Sequence, residues 1–330
     1  MTAQPMVELW RGGMMESRHL GHAVVCDASG DVVEAWGNPD EIIFPRSACK
    51  MFQALPLIES GAADAAGLTD AQLALACASH EGAPLHTDAV AAWLDDLGLG
   101  EADLRCGSHM PRDKAARKAL MCSDTAPCQI HNNCSGKHAG FLTLARHLGA
   151  GPEYVEIDHP VQRAVRAAFE EVTDMAAPGW GIDGCSAPNF ATSVHAFARG
   201  AARFAAARET GDGRERAMVR LTRAMATHPA HVAGEGRACT GLMRAMEGRV
   251  AVKTGAEAVF VAIIPERQLG VALKIADGAT RASEAAIAAI LMRLGVLDPD
   301  HPVVDSLLTG PQKNWRGLVT GELRLAPGFC

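Results

Sequence analysis

Residues 249–278, RVAVKTGAEAVFVAIIPERQLGVALKIADG, alternate in polarity and are dense in valine and isoleucine. β-Branched side chains repeating with a period of two favour extended chain over helix. The segment reads as three strands, around 249–253, 257–264 and 269–275, the last two joined by the turn PERQLG. Near the other terminus, SRHLGHAVVCDASGDVVEAWGN (17–38) reads as two more strands around a turn at DASGD. Strands need partners to pair with, and the chain between these blocks has helical patterning. One mainly antiparallel sheet assembled from both termini follows, an α/β chain of the α+β kind. The expected layout is a single catalytic unit over 1–330, with a sheet lobe at about 1–60 and 245–330 and a helical lobe at about 61–244.

The helical middle carries its own punctuation. A helix runs from a Thr69 cap and ends near Ser79, and a second begins with Thr87 as its cap. Residues 134–150 and 159–173 are amphipathic, Pro160 lying near the first turn of the latter. Another helix is expected beyond Pro188. Hydrophobic residues make up 48% of 330, enough for a substantial core. The net charge of -7, with no long basic run, argues against nucleic acid as a partner. No apolar stretch is long enough to span a bilayer, and MTAQPMVELWRGG lacks the pattern of a signal peptide, so the expected location is cytoplasmic. Ten cysteines without a C-x-x-C read mostly as small buried hydrophobes. GWGIDG (179–184) matches a dinucleotide fingerprint in spelling, but Pro178 precedes it and no strand leads in.

FPRSACKMFQ (44–53) places Ser47 one helical turn before Lys50. A serine hydroxyl becomes a nucleophile when a base accepts its proton, and a lysine can be that base once desolvation or a second cation favours its neutral form. On its own the spacing also fits a capping serine with a surface lysine. The context adds Lys253-Thr254-Gly255 on a strand of the closing sheet. Ser-x-x-Lys and Lys-Thr-Gly are two of three elements of penicillin-recognising serine enzymes, and their order is right. The middle element, Ser-Asp-Asn, is absent, and Ser79 in ASHEG is a candidate for its place.

Six segments extend the comparison: FPRSACKMFQALPLIESGAAD, ASHEG, NNCSGKHAGFL, DGCSAPNF, HPAHVAGEGRACTGLM and KTGAEAVF…ALKIADGA. Through them the chain resembles the asparaginase II type of amidohydrolase found in rhizobia. The resemblance implies a serine β-lactamase/penicillin-binding-like fold, a homodimer, and hydrolysis of the side-chain amide of L-asparagine to aspartate and ammonia. It also implies two Ser–Lys pairs, Ser47 with Lys50 and Ser79 with Lys253, and Ser47 as nucleophile. Ala258 stands where the pattern leads one to expect glycine.

Metal chemistry is open on the residues alone. Cys134 and His138, four apart, are the obvious spacing for a metal, and buried free cysteines explain them equally well. The resemblance instead implies a Zn²⁺ held by Cys134, Cys185 and Lys137, with His138 and Asp183 as supporting groups. Arg46 is a candidate for the substrate α-carboxylate, and Glu81, Asp183 and His138 are further candidates for substrate contacts. Other readings of the same residues are a β-lactamase or penicillin-binding-like hydrolase, a glutaminase, or a zinc-binding scaffold without activity.

Overall fold

A computed structural model describes residues 2–330, which divide into two compact units. The first comprises the chain up to Ala48, Thr192–Ala206 and Gly241–Cys330. Its sheet is built from β1 (Gln4–Arg11), β2 (Met14–Cys26), β3 (Val32–Trp36), β4 (Ala251–Gly255), β5 (Val259–Ile264), β6 (Leu269–Ile275), β7 (Gln312–Lys313) and β8 (Val319–Leu325). The order is β7-β8-β1-β2-β6-β5-β4, β3 also pairs with β2, and every pairing is antiparallel. Both chain ends therefore contribute to one sheet, as the strand patterns predict.

The strand signals differ in how plainly they read. All six residues of β5 are buried, so both its faces are covered and its unbroken apolar run is explained. β1 was not anticipated, because Pro5 and Glu8 interrupt its pattern. Glu8 is nonetheless buried, accepting from Trp10 Nε1 at 2.8 Å and Arg18 Nε at 2.9 Å. A buried carboxylate is tolerable when matched in this way. The strand expected over 257–264 begins at Val259, because Ala256–Ala258 form a 3₁₀ turn. Glu257 and Ala258 both take φ 58° there, a left-handed conformation that favours glycine. This is the position where the sequence departs from the expected glycine.

The helix Val194–Ala206 packs on β6 and β2, while Thr280–Arg293 packs on β5, β1 and β6. The first contact is unusually close. A Cβ at Gly270 would lie 2.0 Å from Ala202 N and 2.4 Å from Ala198 O, so only glycine lets this helix approach.

The second unit, Cys49–Ala191 with Ala207–Thr240, is mainly helical. After three short helices, Asp70–Ala76 opens through a complete Thr69–Gln72 capping box and closes just short of Ser79. The next helix is Pro84–Asp96, capped by Ala83 and not by Thr87. Pro84 does not break this helix but starts it, since a first-turn residue needs no N–H partner. Ser135–His147 and Pro160–Thr173 follow the expected spans. Beyond Pro188 the chain is extended at Pro188–Phe190 and Thr192–Ser193 before the helix begins at Val194. Among the described residues no helix is long and apolar enough to cross a membrane.

A pair of histidines is buried in this unit. His80 and His86 stack at 4.8 Å with rings 10° apart. Ser135 Oγ donates to Ile130 O, so it accepts from His80 Nε2 at 2.9 Å, while His80 Nδ1 accepts Gly82 N–H at 3.1 Å. That pattern fixes His80 as neutral. His86 Nε2 lies 2.8 Å from Ala230 O, and its Nδ1 has no partner among the described residues. Burial pushes both below the usual histidine range, each ring's neighbour adding repulsion at His80.

Two outcomes are expected. Gly270→Ala should cost about 1–3 kcal/mol through overpacking, read as a lower urea midpoint. Because His80 and His86 titrate lower when folded, the unfolded chain takes up their protons first, so stability declines as pH falls below about 6.5. Urea midpoints between about pH 8 and 5 should show this decline, with a shallower slope in His80→Gln.

Candidate active site

In the first unit the segment around Ser47 is a turn pinned against a strand. Ser47 is half-buried, second in the 3₁₀ turn Arg46–Cys49, which runs directly into the helix Lys50–Gln53. Ala48 N–H donates to Pro45 O at 3.1 Å. Arg46, immediately before the serine, takes φ 51°, a left-handed conformation that is strained for a residue with a Cβ. β4 lies along this turn: a Cβ at Gly255 would fall 2.7 Å from Pro45 O and 3.0 Å from Ala48 N. The glycine of Lys-Thr-Gly thus serves close approach to the serine turn. Lys253, two residues earlier, is 1% exposed and donates to Thr254 O at 2.7 Å.

In the second unit Lys50 is the hub. Its ammonium is buried and donates to Ala78 O, to Ser79 Oγ at 3.1 Å and to Cys134 Sγ at 3.1 Å. Its three protons thus meet three acceptors. Within this unit the hydroxyl of Ser79 is therefore met by Lys50, the lysine that the sequence reading assigned to Ser47. Ser79 N–H donates to Val232 O at 2.9 Å, which ties it to the loop 228–237.

Cys134, Lys137 and Cys185 converge. Lys137 donates to Cys185 Sγ at 3.0 Å, and its Nζ lies 5.4 Å from the centre of the Phe141 ring. The two thiols share a hydrogen bond, which drives them apart in acidity: Cys134 is pushed up to about 12, and Cys185 falls well below the thiol range, with Lys137 and Lys50 adding to its fall. Burial works against the charge of Lys137, but the sulfurs of Cys185 and Cys134 outweigh it, so its pKa is raised. Cys185 is held by the tight loop Asp183–Ala187, closed by Asp183 N–H to Ala187 O at 2.9 Å and Ser186 N–H to Asp183 O at 2.9 Å. Among the described residues no group of three or more His, Cys, Asp or Glu is arranged for a metal. A set of two sulfurs and one amine is a different kind of site. Its donors suit a thiophilic dication, provided that Lys137 surrenders a proton on binding.

The remaining candidates divide. His138 is fully buried, with Nδ1 2.9 Å from Tyr154 Oη and Nε2 without a partner among the described residues. Burial first, then Lys137, keeps it neutral. Asp183 is half-buried and adds to the negative field at Lys137. Glu81 has Arg237 3.6 Å away, and Gly234 closes over it, so the loop 228–237 covers this carboxylate. Burial raises the Glu81 pKa. Arg46 lines a cavity of the first unit together with Glu41, Glu257 and Lys274. The sequence reading passed over Tyr154 and Arg237. Arg237 lies inside a segment already singled out, HPAHVAGEGRACTGLM, but nothing in its spacing points to Glu81. Tyr154 is the chain's single tyrosine, and its full burial is the signal that only the structure supplies.

No curated protein matches the chain. Solved structures similar to it include a protein named Mglu in its native form, with 13% identity and a TM-score of 0.46 over 85% of this chain and 66% of that one. A beta-lactamase from Mycobacterium bovis aligns with 12% identity and a TM-score of 0.39 over 84% and 95%. An octameric penicillin-binding protein homologue from Pyrococcus abyssi aligns with 13% identity and a TM-score of 0.37 over 90% and 80%. The family comparison is of another order, since the model described as L-asparaginase II matches residues 7–325. With nearly its whole length matched, the chain belongs to the L-asparaginase II family.

Proposed function

We propose that this protein hydrolyses the side-chain amide of L-asparagine to L-aspartate and ammonia through an acyl-enzyme on Ser47. The reading is carried by the family assignment across residues 7–325. It is supported by the chemistry of the buried lysine cluster: amide hydrolysis needs a proton acceptor for the nucleophile and a proton donor for the leaving amine. Ser47 Oγ attacks the amide carbon and gives up its proton to a lysine amine. The tetrahedral intermediate collapses, and the nitrogen leaves as ammonia once protonated. Water then cleaves the ester, returning the proton to the serine.

Lys50, three residues after Ser47, is the proposed base. It must pass on one of its three protons to accept another, and Ser79 Oγ at 3.1 Å is a route for it. Lys253, on the strand whose Gly255 abuts the serine turn, is the proposed second amine, which the resemblance pairs with Ser79. Asp183 is the proposed handle for the substrate ammonium.

Cys134, Cys185 and Lys137 are the residues that would hold a zinc ion. When bound, it would supply positive charge that keeps both sulfurs as thiolates and helps orient the substrate. Lys137 would bind as the free amine, with its proton released to solvent.

Ammonia release from L-asparagine by the full chain tests the reading. Ser47→Ala should lower kcat by about a thousandfold or more, and Lys50→Met and Lys253→Met should each fall by a comparable factor, because groups acting as one unit fail together. Wild-type release that survives Ser47→Ala would sink the mechanism. Faster release from glutamine would make the chain a glutaminase, and stable acylation of Ser47 by a labelled penicillin would favour the penicillin-binding reading. Elemental analysis should find zinc in the purified protein and a clear loss in Cys185→Ala. Bound zinc with no amide cleavage would leave the scaffold reading.

A further inference from the structure

The first unit contains a cavity of about 380 Å³ lined by His22, Glu41, Phe44, Arg46, Glu257 and Lys274, with Ile42 and Ile43 among its walls. Neither Ser47 nor Lys253 lines it. It is built by sheet register. β2 and β6 pair so that His22 stands opposite Lys274, and Glu257 enters from the left-handed turn that joins β4 to β5. Arg46, the residue before Ser47, completes the charged lining.

The charges of this cavity are balanced, two cations against two carboxylates. Lys274 has two of its three protons engaged by Glu257 O and Ile275 O, and the third has no partner among the described residues. His22 accepts Asn38 N–H on Nδ1 at 2.8 Å. Burial lowers the pKa of His22, so the neutral ring carries its remaining proton on Nε2. Phe44 and Ile42 are about half exposed and supply apolar surface at the opening. A phosphate or polycarboxylate would be repelled by Glu41 and Glu257, and a diamine by Arg46 and Lys274. A ligand with adjacent opposite charges satisfies both pairs, and the cavity volume admits one with a short side chain.

We propose that this cavity is an accessory binding site for a free zwitterionic α-amino acid, its carboxylate received by Lys274 and Arg46 and its ammonium by Glu257 and Glu41. None of the residues assigned to bond cleavage lines the site, and its occupancy does not depend on what reaction Ser47 performs. Its position along the chain from Ser47 makes the substrate and the product of an amino-acid amidohydrolase the two obvious sources of ligand.

The test is isothermal titration of the full-length Ser47→Ala chain, which removes turnover, with L-asparagine and with L-aspartate in separate runs. Each run is repeated after adding Lys274→Met or Glu257→Gln. The expected result is a binding component that weakens about tenfold or more in both variants, the loss of one charge-assisted contact. Succinate, which lacks the ammonium, should not compete for that component. Retention with asparagine alone identifies substrate as the source, and retention with aspartate alone identifies product. Glu257→Gln changes only an exposed carboxylate, and melting curves of both variants separate misfolding from lost binding. Isotherms that are unchanged in Glu257→Gln and in a folded Lys274→Met, or no component beyond one site per chain, overturn the proposal. Failure of ammonia release in the wild type would leave these isotherms intact, so the two ideas fail separately.

Discussion

Taking an ammonium group out of water is the constraint around which the second unit is organised. Lys50 and Lys137 are both buried, and each must recover in the interior what it lost in hydration. Lys50 does so with a carbonyl, a hydroxyl and a sulfur, and Lys137 does so with a sulfur and the face of an aromatic ring. The sulfurs are in turn driven apart in acidity, Cys134 raised and Cys185 lowered. None of these four groups is comfortable alone. Removing any one leaves a buried charge or donor exposed to an apolar surround, which is why the cluster has to be read as a unit.

The first unit solves a different problem, that of bringing backbone very close to backbone. Gly270 allows a helix to lie on β6, and Gly255 allows β4 to lie on the serine turn. In both places the space that a methyl group would need is filled by a main-chain nitrogen or oxygen. The left-handed Arg46, Glu257 and Ala258 cluster around the same turn and strand end. Backbone strain concentrated beside the proposed nucleophile fits a site whose geometry matters more than its local stability.

Much of the architecture was legible residue by residue. The Thr69 capping box, the helix stops near Ser79 and Thr173, the strands around 17–38 and the alternating block at 249–278 all follow from local periodicity and capping. Failures occurred where a local rule was overridden. β1 hides behind a buried Glu8 whose partner Arg18 lies on the next strand. The helix expected to open at a Thr87 cap instead starts at Pro84, whose fixed φ suits a first turn. The candidate site came from the sequence as a roster of residues: Ser47, Lys50 and Lys253 from Ser-x-x-Lys and Lys-Thr-Gly, Ser79 as the candidate for the missing middle element, and Cys134, Lys137 and Cys185 from the family resemblance.

What the sequence determined by itself was therefore the five central strands in 17–38 and 249–278, the longer helices, the family, and the chemically capable side chains, since periodicity and motif spacing are properties of neighbours along the chain; the outer strands β1, β7 and β8 were not among them. Tertiary structure decided the contacts: that Lys50 reaches Cys134, 84 residues away, which no reading of the sequence paired, and that Lys137, which the resemblance grouped with Cys185, donates to it across 48 residues. It also decided which carboxylates were already matched and which charges faced a cavity. Those outcomes depend on desolvation, and desolvation is set by everything packed around a group, most of which is distant from it in sequence.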